Sequence, residues 1–164
     1  MRPHADAPPS VPAPPSVPDD RARVAARLTA DYLLRTLRIV IGMANGEVVT
    51  GLVAMAISQA NVSHLGQSEA TAGEYLGLGA IPPDEVRRPV SVLSLSQSLG
   101  LPYETTRRHV ERLVKAGYCV RVKNGVIVPS DALDTEQNRQ LLIDNLANLR
   151  RLVRGLRNVG VDLG

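Results

Sequence analysis

Residues 91–128 read SVLSLSQSLGLPYETTRRHVERLVKAGYCVRVKNGVIV, and their spacing predicts two short helices followed by a β-hairpin. Ser91 is a helix-capping residue, Val92, Leu95 and Leu99 recur on one helical face, and Gly100 supplies a stop. Pro102 then opens a second helix, because its fixed φ suits a first turn that does not need its missing N–H. At 100° per residue Thr106, Val110, Leu113 and Val114 form a packing stripe, with Glu104, Arg108, Arg112 and Lys115 opposite. Tyr103, Thr105 and Arg107 fall on the exposed margins of the first turns, and Gly117 ends the helix. Residues 118–122 and 126–128 alternate around Asn124-Gly125, a hairpin signal because both residue types tolerate positive φ. Arg121, Lys123 and Asn124 approach its tip.

The run LGLPYETTRRHVERLVKAG, residues 99–117, followed by the short NG hairpin, resembles the DNA-binding module of bacterial winged helix-turn-helix regulators. The resemblance covers about forty residues and implies a recognition helix in the major groove, with Tyr103, Glu104, Thr105, Arg107 and Arg108 facing bases and phosphates. Arg112 on the same outer face, and Arg121, Lys123 and Asn124 on the wing, complete the expected DNA-binding set. Ser96 stands where such modules commonly carry Ala, and Thr106 where they carry Val or Ile; both fit sterically. The overall plan is similar to MarR-type regulators but lacks their charged wing signature, so no subfamily is assigned. The competing class is a winged-helix adaptor that binds protein, since Glu104 with Arg108 and Glu111 with Lys115 are i,i+4 pairs that any solvated helix can carry.

Charge placement agrees with the resemblance. The net charge is only +3, yet residues 101–125 hold six basic and two acidic side chains, so the whole excess lies in that segment. The 164 residues allow one ordinary domain with appendages, and four Tyr without Phe or Trp leave an aliphatic core suited to packed helices. The expected fold is therefore mainly α: a winged helix-turn-helix over 89–130 with a two-stranded wing, flanked by an N-terminal helical hairpin and a long C-terminal helix.

Residues 1–18 hold seven of the twelve prolines and read as a disordered tail. The hairpin over 19–65 opens at Asp19 and Asp20, carries Val24, Leu28, Leu33, Leu37, Val40 and Ile41 on its first helix, and turns at Asn45-Gly46. Its second helix, 47–63, is apolar almost all round through Val49, Leu52, Val53, Ala56 and Ile57, so several neighbours must cover it. Polar residues from Gln59 onward make it a buried helix and not a membrane span. The connection 66–88 is rich in glycine, with a helical turn expected around 69–76.

In the C-terminal segment 131–164 a helix starts at Asp134 or Thr135, and Leu142, Leu146, Leu149, Val153 and Leu156 recur at spacings of four and three. This seam, broadened by Leu141 and Leu152, predicts a homodimer, with packing on the N-terminal hairpin as the alternative. His4, His64 and His109 are scattered and no nucleophile or phosphate-loop motif occurs, so neither catalysis, a metal nor a cofactor is expected. His109 reads as an exposed helix residue or a phosphate contact. Cys119 reads as a small buried hydrophobe, with oxidant sensing as the weaker option. One cysteine and no signal-like opening predict the cytoplasm. Expected partners are double-stranded DNA, a second copy of the chain and a small-molecule effector of unknown class.

Overall fold

The computed structural model describes residues 19–65, 73, 75 and 77–161. The proline-rich tail lies outside the described residues, as does the helical turn expected within 69–76 apart from Gly73 and Tyr75. The described chain is mainly helical with one small antiparallel sheet: α1 Asp19–Met43, α2 Val48–Val62, a 3-10 turn Asp84–Val86, α3 Val92–Leu99, α4 Tyr103–Lys115, β1 Val120–Val122, β2 Gly125–Ile127, α5 Ser130–Leu133 and α6 Glu136–Asn158. No single described helix is long and apolar enough to cross a membrane.

The capping chemistry operates as read. Ser91 accepts the Ser94 N–H at 3.0 Å, Gly100 terminates α3 at φ +63°, Pro102 precedes α4, and Thr135 accepts the Asn138 N–H at 3.1 Å to start α6. Each bond lies within a few residues of its partner, so local sequence is enough to place it.

The all-round apolar α2 is the centre of the fold. Val53, Ala54 and Ile57 meet Leu95 of α3, Val110 and Leu113 of α4, and Cys119, Val126 and Val128 from the hairpin segment. Sequence reading placed α2 in a hairpin with α1, whereas the two axes turn by 94° at Asn45-Gly46. The reason is coverage: a single antiparallel neighbour hides one side of a helix, and α2 has apolar residues on several. Gly51 permits the crossing, since a Cβ there would lie 2.5 Å from the Val40 carbonyl oxygen and 2.6 Å from its Cγ1.

The hairpin is joined to this core by two features the sequence did not announce. Val90 pairs antiparallel with Val126, each amide donating to the other's carbonyl at 3.1 and 3.0 Å. Fully buried Asn61 of α2 donates through Nδ2 to the Arg88 and Val126 carbonyls at 2.7 and 3.2 Å, and its Oδ1 accepts the Val128 N–H at 2.9 Å. One side chain therefore fixes the entry to α3 and the exit of the hairpin against α2.

The hairpin turn also sits one residue earlier than expected. Val122 opposes Gly125, so Lys123 and Asn124 form the loop, and Asn124 does not have positive φ. Gly125, at φ +147°, belongs to β2, where a Cβ would run into the Val90 carbonyl, 2.6 Å from its carbon. Glycine is needed here for the close approach of another backbone, not for the turn.

α6 packs antiparallel along α1 of the same chain. Arg21 Nη1 donates to the Gly160 carbonyl at 3.1 Å, Leu28 lies over Gly155, and the Thr36 hydroxyl donates to Asn145 Oδ1 at 3.5 Å. The half-buried stripe of α6 includes Leu141, Asn145, Asn148, Leu152 and Gly155, so two residues expected to broaden a dimer seam belong to the internal contact. The neighbouring stripe keeps Leu142, Leu146 and Leu149 exposed at 45%, 38% and 41%, with Val153 and Leu156 half-buried.

Candidate nucleic-acid interface

α4 divides along its length as its spacing predicts. Thr106, Val110 and Leu113 are buried against α2 and α3, while Tyr103, Glu104, Arg108, Glu111, Arg112 and Lys115 are exposed. The buried Thr106 hydroxyl is satisfied by donating to the Pro102 carbonyl at 3.2 Å, which is how a polar residue occupies a core position. Ser96, the other departure from an apolar position, is likewise buried and donates to the Leu93 carbonyl at 2.9 Å.

Ion pairing divides the cations into two groups. Arg107 is half-buried and bound bidentately to Glu104, at 2.9 and 2.6 Å, and also to Glu111. The hydrogen bond from Arg107 holds the Glu104 carboxyl below its ordinary range, and the same bond raises the guanidinium of Arg107. Arg112 Nη1 donates to Glu47 Oε2 at 2.6 Å, joining α4 to the start of α2. The second group is freer: Arg108 is 70% exposed with Glu104 at 3.6 Å, and Arg121 lies 3.9 Å from Glu111. Lys115 and Lys123 have no ion pair among the described residues, and Lys123 and Asn124 stand exposed at the hairpin tip. Thr105 is half-buried.

Glu47 organises a network that the sequence did not suggest, because its members are far apart in the chain. Thr50 Oγ1 donates its single proton to Glu47 Oε2 at 2.6 Å, so at 2.8 Å it accepts from the Nδ1–H of His109. His109 is thus a half-buried strut between α4 and α2, which corrects its reading as an exposed helix residue. Partial burial, and then the charge of Arg112, push its imidazole below the ordinary histidine range, with Glu47 opposing. The Thr50 hydroxyl, followed by Arg112, lowers the Glu47 carboxyl.

Cys119 is buried in the α2–α4 core, and loss of solvation pushes its thiol up to about 12. A thiol held so firmly protonated is a poor nucleophile, so the oxidant-sensing option is overturned by burial. Among the described residues no three His, Cys, Asp or Glu side chains converge in a way that could hold a metal ion.

Comparison of the chain with protein-family models, with curated proteins and with solved structures finds no match.

Proposed function

We propose that this protein is a sequence-specific DNA-binding transcription regulator that acts as a homodimer through a winged helix-turn-helix. The supporting order of elements is α2, the Val90 bridge, α3, α4 and the β1–β2 hairpin, with α4 as recognition helix and the hairpin as wing. The observation that carries the reading is the partition of α4: one stripe packs on α2 and α3, and the opposite face presents Tyr103, Arg108 and Lys115 beside a hairpin bearing Arg121, Lys123 and Asn124. A major groove admits one α-helix, and exposed cations beside it suit the flanking phosphates. Arg107 and Arg112, engaged by carboxylates of the same chain, orient the helix in this scheme, and Glu104 keeps Arg107 folded along α4.

Selection of bound duplexes from a random pool tests the proposal, followed by affinity against salt concentration for the selected site. Arg108→Ala is expected to cost about 1 to 3 kcal/mol of binding and to relax base preference, while Lys123→Ala weakens all sequences alike and lowers the salt slope by roughly one. Unselective recovery of duplexes, with both variants binding as the parent does, rejects the assignment.

Dimerisation would use the α6 stripe that α1 leaves uncovered. Leu142, Leu146 and Leu149 are exposed along that stripe, and Leu33 and Leu34 of α1 are exposed as well. A twofold axis there would present two recognition helices to half-sites about 34 Å apart. Leu149→Glu places a charge in the middle of that stripe and is expected to yield monomers in sedimentation velocity; an unchanged mass excludes this surface as the interface.

The second reading, a protein-binding adaptor, is favoured by the carboxylates on the same face. Glu104 and Glu111 neutralise Arg107 and stand near Arg108 and Arg121, which weakens the field available to phosphate. Affinity for duplex that is weak and unselective at every salt concentration is the outcome this reading requires.

A further inference from the structure

A cavity of about 400 Å³ lies among α1, α2, the 77–82 segment and α6, away from the exposed face of α4. Its walls are chiefly apolar, including Ile39 and Met43 of α1, Met55 of α2, Leu78, Ile81 and Leu141. This is the size and character of a small-molecule site. Among the described residues one charged side chain lines it. The side chain of Arg87 is entirely withdrawn from solvent, yet among the described residues only Nη2 is hydrogen bonded, donating to the Pro82 carbonyl at 2.8 Å. Asp84 Oδ1 stands 3.4 Å from Nε without completing a hydrogen bond, and the same oxygen accepts the Ser130 N–H at 2.7 Å. Nη1 has no hydrogen-bond partner among the described residues.

A guanidinium does not lose its proton inside a protein, so this group cannot escape its burial by becoming neutral. Buried charged donors are ordinarily satisfied, and an unsatisfied one beside a cavity calls for an acceptor that arrives from outside. The Ser58 and Tyr118 hydroxyls, 3.4 Å apart, also line the space; Ser58 donates to the Ala54 carbonyl at 3.1 Å and so accepts from Tyr118. From these observations we infer that the cavity binds a small amphipathic carboxylate, its apolar body against Ile39, Met43, Met55 and Leu141 and its carboxylate on Arg87 Nη1. Asp84 already meets the charge from the Nε side, so what Nη1 lacks is an acceptor, which one carboxylate oxygen on a hydrocarbon body supplies, and two methionines let the wall adapt to its shape. Tyr118 connects the cavity to the end of α4, so occupancy bears on the candidate recognition helix. That consequence rests on the DNA-binding reading; the binding itself does not.

The chain offers a built-in probe. It has three methionines, of which Met43 and Met55 line the cavity and the third is Met1. Methyl NMR of the full chain is recorded during titration with octanoate and with 1-octanol, and in parallel with 2-naphthoate and 2-naphthalenemethanol. The expected result is saturable shifts of the Met43 and Met55 methyls with at least one carboxylate, at least tenfold tighter than with its alcohol. The Arg87 Nε–H resonance of the parent protein should move with the carboxylate and not with the alcohol. Arg87→Met, checked for folding by its circular dichroism and melting transition, should then bind acid and alcohol alike; if that variant does not fold, the Nε–H response of the parent decides. Equal affinity for acid and alcohol in both pairs, or no saturable methyl shift with either carboxylate, overturns the inference. No DNA enters the measurement, so failure of the regulator reading would leave its outcome intact.

Discussion

Asn61→Ala is expected to destabilise the fold by roughly 3 to 5 kcal/mol, because removing a partner leaves each buried polar group with a desolvation cost of about 1 to 3 kcal/mol. The substitution strands the Val128 N–H in a buried position and takes the donor from the Arg88 carbonyl, which is part-buried. The Val126 carbonyl suffers less, since it also accepts the Val90 N–H. Equilibrium denaturation followed by circular dichroism measures the loss, and a cost below about 1 kcal/mol would mean that water replaces the amide and that the clamp is not structural. Asn61→Asp separates chemistry from volume. It keeps an acceptor for Val128, but replaces the donating Nδ2 with an oxygen that faces the Arg88 and Val126 carbonyls. The repulsion favours the protonated acid in the folded state, so the folded pKa is expected to rise above the unfolded one. The penalty is then full above that raised pKa and shrinks as pH falls through it toward the unfolded value, where the acid donates as the amide did. A pH-independent penalty would contradict the clamp geometry.

Gly125→Ala is expected to cost about 3 kcal/mol or more, the sum of a backbone conformation that favours glycine and an overlap that must be relieved by moving main chain. The added carbon meets the Val90 carbonyl group and not a flexible side chain, so no rotamer change relieves it. Relief comes by opening the Val90–Val126 pair, which releases the start of α3 from the hairpin. Hydrogen exchange gives a specific signature: the Val90 and Val126 amides lose protection, while amides of the α1–α6 pair keep theirs. Undiminished protection at Val90 together with a parental denaturation midpoint would show that the close approach is not required.

These two positions mark where sequence reading stopped. Asn61 looked like one of several polar residues ending the apolar part of α2, and nothing in its neighbours indicates two carbonyls and an amide from residues 88, 126 and 128. Gly125 was legible as part of a hairpin signal, but its reason was misplaced by one residue, because the approaching Val90 backbone is thirty-five positions away in the chain. Arg112 does stand on the outward face of α4, but its ion pair was not legible for the same reason. Helical periodicity reports the angle of a side chain about its own axis, and cannot report that Glu47 waits beside it.

By contrast, the boundaries of α3 and α4, the packing stripe through Thr106, Val110 and Leu113, and the caps at Ser91 and Thr135 were determined by sequence alone. Each depends on contacts within one helical turn or on the 3.6-residue repeat, so the amino-acid order contains the whole cause. Local sequence therefore sets the helices within 91–117, whereas the hairpin that follows depends on Val90 and Asn61 outside it. Tertiary structure decided what those helices are attached to: which neighbours cover α2, which of two adjacent apolar stripes on α6 turns toward α1, and which arginines on α4 remain open to a partner. Those choices lie between surfaces that sequence leaves nearly equivalent, and they are settled by packing and by hydrogen bonds whose two ends meet only when the chain has folded.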